Sequence, residues 1–234
     1  MTESNLKSIA SRILLEEGQE LIDAAERTST NIVKACDLIV NHPGKVVILG
    51  MGKSGLIAQK IAATLCSVGS KAVFLHAAEA SHGDLGIYAP GDPTIVISKS
   101  GATDELVRLI PILKEFNSPL IGIIGNMKSS LVDSMDIVID ASVSKEVDPL
   151  GLVPTSSTTL TLAIGDALAT VIMSHQGFKH EDFAKLHPAG DIGRRLILTV
   201  QEIMMPIKDV AVVKRDDNLR KVVIDMTEKP FGAA

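Results

Sequence analysis

Two short segments concentrate the residues that could do chemistry. The first is "GMGKSG", where Gly50-x-Gly52-x-x-Gly55 carries Lys53 and Ser54. The second is "SKSGATDE", with Ser98, Lys99, Ser100, Gly101 and Thr103 ahead of Glu105. Each follows a β-branched run and precedes a helical pattern. Backbone amides and hydroxyls at such strand-to-helix turns can cup a phosphate, and the helix start adds partial positive charge.

Three readings compete for the first loop. An ATP loop, G-x-x-x-x-G-K, needs glycine at position 47, which is Val47. A dinucleotide fingerprint needs an acid at the end of the second strand to hold a ribose. That place falls near His76, and Glu79 lies beyond it. The third reading is a small phosphate or sugar site built from Gly52, Ser54 and the loop amides. The plain alternative is a tight turn that needs glycine for geometry alone. A hydroxyl cluster such as Ser98, Ser100 and Thr103 can likewise be no more than a helix cap. Two such loops at one crevice favour a phosphorylated polyhydroxy ligand.

The elements that must position these loops are legible. Residues 5–40 carry apolar positions at helical spacing, closed by "NHPG". Five apolar runs follow, "KVVIL", "AVFL", "TIVIS", "LIGII" and "DIVID". Uniformly apolar strands are covered on both faces. Between them lie "GLIAQKIAATLCSV", "DELVRLIPILKEF" and a short "SSLVDSM", and a long helix spans about 158–176. The reading is an α/β fold with a doubly wound, five-stranded parallel sheet in the order 2-1-3-4-5. In that order strands 1 and 3 are neighbours whose connections diverge, so the two loops should face each other. From Val200 the pattern changes to a short helix, a strand and a helix, with no room for a closed fold. We expect one domain over residues 1–199 and a partial segment over 200–234.

Composition removes other classes. Of 234 residues 46% are hydrophobic, with six aromatics and no tryptophan, which gives no stacking platform for single-stranded nucleic acid. Net charge is −5 and no basic run occurs, so neither nucleic acid nor an anionic membrane is an expected partner. Cys36 and Cys66 read as buried free thiols in a reducing compartment. We expect no signal peptide, and the stretch "LTLAIGDALATVIM", too short to span a bilayer, carries Asp166. A cytoplasmic protein is expected.

The paired loops resemble the signature loops of sugar isomerase (SIS) domains. "HAAEASHGDLG", "EVDPLGLVPTSSTT" and "FAKLHPAGDIGRRL" narrow the resemblance to the arabinose-5-phosphate isomerases, which supply the precursor of Kdo. Five motifs occur in order from about residue 16 onward. Members usually carry two CBS modules after the SIS domain, and "VQEIMMP…DNLRKVVIDM…GAA" resembles only the first half of one, so truncation of a longer protein is expected. The second loop departs from the pattern. Asn or Asp is commoner at Lys99, and a polar residue at Ala102. Lys99 could add a cation beside the phosphate or point to water.

The resemblance implies aldose–ketose isomerisation of a phosphosugar through an enediol(ate), without metal or cofactor, in a homodimer or homotetramer. It implies a catalytic set of Lys53, Glu105, Glu146 and His187, with His82 close by. Glu105 lies in the first turn of a helix, where the dipole favours its ionised form. Glu146 lies in a loop after strand 5. We favour Glu146 as the C1/C2 base and Glu105 as an orienting carboxylate, with the opposite assignment open. His187 or His82 would open the ring, and Lys53 would face the enediolate or the phosphate. "PTSSTT" reads as a helix cap that borders the sugar, and Glu16 and Glu20 as residues reaching a neighbouring subunit. A phosphosugar-sensing SIS module and a six-carbon phosphosugar isomerase are the alternatives.

Overall fold

The structure is a computed structural model and describes residues 2–188 and 199–229. The chain forms two compact units, Met1–Leu186 and His187–Ala234.

In the first unit, α1 (Glu3–Val40) precedes β1 (Val46–Gly50), α2 (Gly52–Ser67), β2 (Ala72–His76) and the single turn α3 (Ala77–Ala80). Then come β3 (Thr94–Ser98), α4 (Asp104–Glu115), β4 (Leu120–Ile124) and β5 (Ile137–Asp140). The unit closes with α5 (Ser156–His175) and α6 (His180–Leu186). The five strands are all parallel, in the order 2-1-3-4-5, as their apolar runs indicated. Between β4 and β5 the expected short helix is only a 3-10 turn at Val132–Ser134.

Every residue of β1, β3 and β4 is buried, because helices cover both faces of the sheet. Side chains alternate between the two layers with the strand period of two. Ile48, Ile95, Ile97, Ile121 and Ile123 pack with α1, α2 and α5, whereas Val47, Leu49, Val96, Leu120 and Ile124 pack with α4. Each fully buried Ile or Leu contributes about 1.5–3 kcal/mol relative to exposure. The helix after β1 therefore crosses to one face and the helix after β3 to the other. That divergence opens a crevice at the carboxyl ends of β1 and β3.

Helix α5 is 20 residues long and by length and composition apolar enough to cross a membrane, although the apolar stretch within it reads as too short to do so. Here it is a core helix: Leu160, Ile164, Leu168 and Ile172 are buried against the sheet's partners. Asp166 faces outward and pairs with Lys60 of α2. Cys36 is buried as expected, but Cys66 is exposed and its thiol reaches the Ala72 carbonyl, because it falls on the outer face of α2.

The carboxylates of Glu16 and Glu20 find partners within the chain. Both turn inward to the connection between β5 and α5. Glu20 is buried and accepts from the Ser144 amide at 3.0 Å and from the Ser144 hydroxyl. Glu16 pairs with Lys145 at 3.0 Å. Arg27 donates to the Ser142 carbonyl, Asn31 Nδ2 to the Val138 carbonyl at 2.7 Å, and Thr159 to Glu17 at 3.1 Å. Helix α1 thus holds the 141–155 connection at intervals along its length, and Glu146 lies within that connection.

In the second unit, α7 (Val200–Ile203) carries a complete capping box between Thr199 and Glu202. A 3-10 turn follows at Ile207–Asp209, then α8 (Leu219–Glu228), capped by Asn218. The strand expected near "VAVV" does not form. An isolated strand leaves its amides and carbonyls unpaired, and the described residues of this unit supply no edge for it. Residues 189–196 of the motif "FAKLHPAGDIGRRL" and the terminal "GAA" lie outside the described residues.

Candidate active site

The glycine loop is shorter than its sequence suggests, because α2 begins inside it. Gly52 opens the helix, and Lys53 and Ser54 occupy its first turn. The turn closes with the Gly55 amide donating to the Met51 carbonyl at 3.0 Å. Gly50 is sterically obligatory, since a Cβ there would sit 2.8 Å from the Ser54 carbonyl oxygen.

The second loop is organised by its own hydroxyls. Ser98 is buried, and its Oγ accepts the Gly101 amide at 3.0 Å and lies 3.4 Å from Thr103 Oγ1. Ser98 therefore shapes the turn from beneath. The Ser100 hydroxyl accepts the Ala102 amide at 3.2 Å and is solvent-facing. Gly101 has φ +63°, and a Cβ there would meet Ser129 Oγ at 1.9 Å. Thr103 is the N-cap of α4 but makes no side-chain cap bond. The Gly125 amide donates to the Ser98 carbonyl at 3.0 Å and ties this loop to the end of β4.

Glu146 is the most tightly held polar side chain of this region. Its Oε2 accepts the Thr155 amide at 2.8 Å, the Thr155 hydroxyl at 3.0 Å and the Ser157 amide at 3.2 Å. Its Oε1 accepts the Ser157 hydroxyl and pairs with Lys99 Nζ at 2.6 Å. The carboxylate thus serves as the cap of α5, where the helix dipole also favours negative charge. Burial pushes its pKa up. The Lys99 ammonium, the Ser157 hydroxyl and the Thr155 and Ser157 amides outweigh that and bring it down to about 2. Held this way Glu146 is a weak base, far from the near-neutral pKa that proton abstraction favours.

A cleft of ≈ 160 Å³ lies between these parts. Lys53 and Ser54 of α2, Lys99 of the second loop, and Ser157, Thr158 and Thr161 of α5 line it. The structure therefore brings Lys53 and Ser54 together with Lys99, and through Lys99 and Ser157 with Glu146. Ser100, Gly101 and Thr103 flank Lys99 in the chain without lining the cleft, and Gly52 lies one residue before Lys53. Glu105, half-buried in the first turn of α4, is not in the lining. His82 is exposed on the segment after α3, also outside it. His187 belongs to the second compact unit. Among the described residues no group of three or more His, Cys, Asp or Glu is arranged to hold a metal.

Sequence reasoning did not foresee two features. Lys99, half-exposed and lining the cleft, turns its ammonium to Glu146. "PTSSTT" is indeed at the head of α5, yet its cap acceptor is Glu146, nine and eleven residues upstream of Thr155 and Ser157. The available signal was the acid Glu146 in the loop leading into an N-terminal hydroxyl cluster. Its ion-pair partner, two strands away in the sheet, has no local signature.

Comparison with known proteins places these features in a family. The SIS domain family matches residues 39–171. The arabinose 5-phosphate isomerase KdsD of Shigella flexneri is 44% identical over 220 residues, covering 94% of this chain and 67% of that protein. Its namesake from Pseudomonas aeruginosa is 45% identical over 206 residues, covering 88% and 63%. The chain thus spans about two thirds of the length of these curated relatives. A protein of E. coli CFT073 solved in complex with arabinose 5-phosphate superposes with a TM-score of 0.77 at 36% identity, covering 80% of this chain and all of that one.

Proposed function

The chain belongs to the SIS domain family, and on that premise we propose that it is an aldose–ketose isomerase interconverting D-arabinose 5-phosphate and D-ribulose 5-phosphate. One observation supports this reading above the others: Ser54, Lys53 and Lys99 share a single cleft with the residues that hold Glu146. A phosphoryl group at the first turn of α2 meets helix amides, a hydroxyl and two ammonium groups. The sugar then extends along the head of α5, where Ser157, Thr158 and Thr161 offer neutral hydrogen bonds to its hydroxyls.

Isomerisation moves a proton between C2 and C1 through an enediol(ate), and so needs a base and a partner for the developing oxyanion. We assign proton transfer to Glu146 and charge stabilisation at the reacting oxygen to Lys53. Glu105 is the auxiliary carboxylate, and His187, with His82 as the second candidate, opens the ring. Ser100, Gly101 and Thr103 shape the phosphate end, with Ser98 beneath them. The chemistry asks for no metal or cofactor.

The wider reading is that residues 1–199 form the catalytic domain, 200–234 a partial CBS-like segment, and that the product enters Kdo synthesis in the cytoplasm. Self-association to a dimer or tetramer is supported by Leu14, Leu15 and Ile22, which are exposed on α1. A turnover panel tests the proposal. Arabinose 5-phosphate should be converted to ribulose 5-phosphate with a kcat/KM well above that for six-carbon phosphosugars. Faster conversion of a six-carbon phosphosugar would reassign the substrate, and binding without conversion of any phosphosugar would make the protein a sensor.

A further inference from the structure

The Lys99–Glu146 pair is asymmetric. The Glu146 side chain is 2% exposed and immobilised by four further hydrogen-bond donors, whereas the Lys99 side chain is 47% exposed and lines the cleft beside Ser54. Both carboxylate oxygens are occupied, so nothing on Glu146 is free to accept a proton from a substrate carbon. One of the five donors can leave cheaply. Thr155 at the N-cap and Ser157 in the first turn of α5 are fixed by the helix, but the lysine ammonium sits on a flexible four-carbon stem at the solvent boundary.

We propose that Lys99 is a phosphate-responsive switch: it blocks Glu146 in the free protein and moves to the substrate's phosphoryl group on binding, which unmasks the base. The inference rests on the isomerase reading above for its consequence, and on the cleft geometry for its mechanism. A sugar phosphate carries close to two negative charges at neutral pH against one on Glu146, and presents three acceptor oxygens. The competition for the ammonium therefore favours the ligand. When Lys99 leaves, Oε1 keeps the Ser157 hydroxyl and gains a free lone pair. The burial of the carboxylate, previously offset by the cation, then raises its affinity for a proton. Charge is conserved in the exchange: one ammonium–carboxylate pair is replaced by one ammonium–phosphate pair.

The arrangement makes Lys99 a specificity-determining and positioning residue. An unphosphorylated pentose could occupy the sugar end of the cleft but would leave the base blocked.

The test uses D-arabinose with and without inorganic phosphite as a detached phosphoryl group, in the wild-type chain and in Lys99→Met and Lys99→Arg. For the wild type, phosphite should raise D-arabinose turnover at least tenfold. Lys99→Met should turn over D-arabinose faster than wild type without phosphite, gain little from phosphite, and show a KM for arabinose 5-phosphate raised roughly tenfold or more, about 1.4 kcal/mol per decade. Lys99→Arg, which keeps a cation for both partners, should keep the activation. Equal phosphite activation in wild type and Lys99→Met overturns the proposal.

Infrared difference spectra separate this result from failure of the isomerase reading. Phosphite should shift a carboxylate band that is absent in Glu146→Gln and already shifted in Lys99→Met. A wild-type chain with no arabinose 5-phosphate turnover but with this shift keeps the switch and loses the isomerase. A Glu146 band that ignores phosphite removes the switch, whatever the turnover.

Discussion

Acidification should release the Glu146 clamp, and its contribution to stability can be worked through. An ordinary glutamate titrates near 4.5, and Glu146 is held at about 2 in the folded chain. The folded pKa is depressed, so between pH 2 and 4.5 the unfolded chain binds more protons than the folded one. The contribution is therefore fully present above about pH 4.5 and lost as pH falls through about 2. A difference of roughly 2.5 pKa units at 1.36 kcal/mol per unit amounts to about 3 kcal/mol. Lys99 is half-exposed and solvent screens its share, so about 2 kcal/mol is the more realistic figure. Glu146→Gln keeps the shape of the side chain but cannot be charged, so it should lose about 2 kcal/mol at pH 7. Against wild type that deficit should shrink toward zero as the pH approaches 2. Urea unfolding of both chains in half-unit steps from pH 7 to pH 2.5 reads this directly. Asp92, also lowered in the folded state, titrates equally in the two chains and cancels in the difference. A deficit that stays constant down to pH 2.5 would refute the clamp as drawn.

Other expectations follow from single contacts. Gly101→Ala places a Cβ at φ +63° and within 1.9 Å of Ser129 Oγ, so it should cost about 2 kcal/mol or more in urea unfolding, and adding Ser129→Gly should recover only the steric part. Ser54→Ala should raise KM for arabinose 5-phosphate several-fold with little change in kcat, since in the proposed binding mode its neutral hydroxyl meets the phosphate. Asp166→Ala removes a pair whose two side chains are both exposed by more than a third, and thermal unfolding should register less than about 1 kcal/mol.

How far the sequence was readable depends on whether a feature was periodic or relational. The five strands were legible because helices cover both faces of the sheet, so each strand is a dense apolar run between turns. Their order followed from the crossovers, and with it the meeting of the loops after β1 and β3. Features set by one side chain's direction were not legible. Glu16 and Glu20 have the polar character of outward residues, yet they bind the loop that carries Glu146. The exposure of Cys66 is decided by one rotation along α2. "VAVV" has the composition of a strand, but a strand also needs an edge to pair with. Lys99 was visible as a departure in a recognisable loop and Glu146 as a candidate base, but their pairing was not, because the two residues are 47 positions apart and meet across the ends of different strands. In the proposed mechanism the consequence for chemistry is large, since that contact would decide whether Glu146 can act as a base.

The central claim is that a phosphosugar gripped at Ser54 exchanges a proton at C1 or C2 with Glu146. The most direct measurement is incubation with ribulose 5-phosphate in heavy water, reading deuterium in the recovered sugars by NMR. Wild type should form arabinose 5-phosphate with deuterium at the transferred carbon, and Glu146→Gln should bind the sugar while slowing exchange by roughly 10²–10⁴-fold, the usual worth of a positioned base. Exchange by Glu146→Gln at the wild-type rate, or bound sugar with neither deuterium nor product in wild type, would contradict the account.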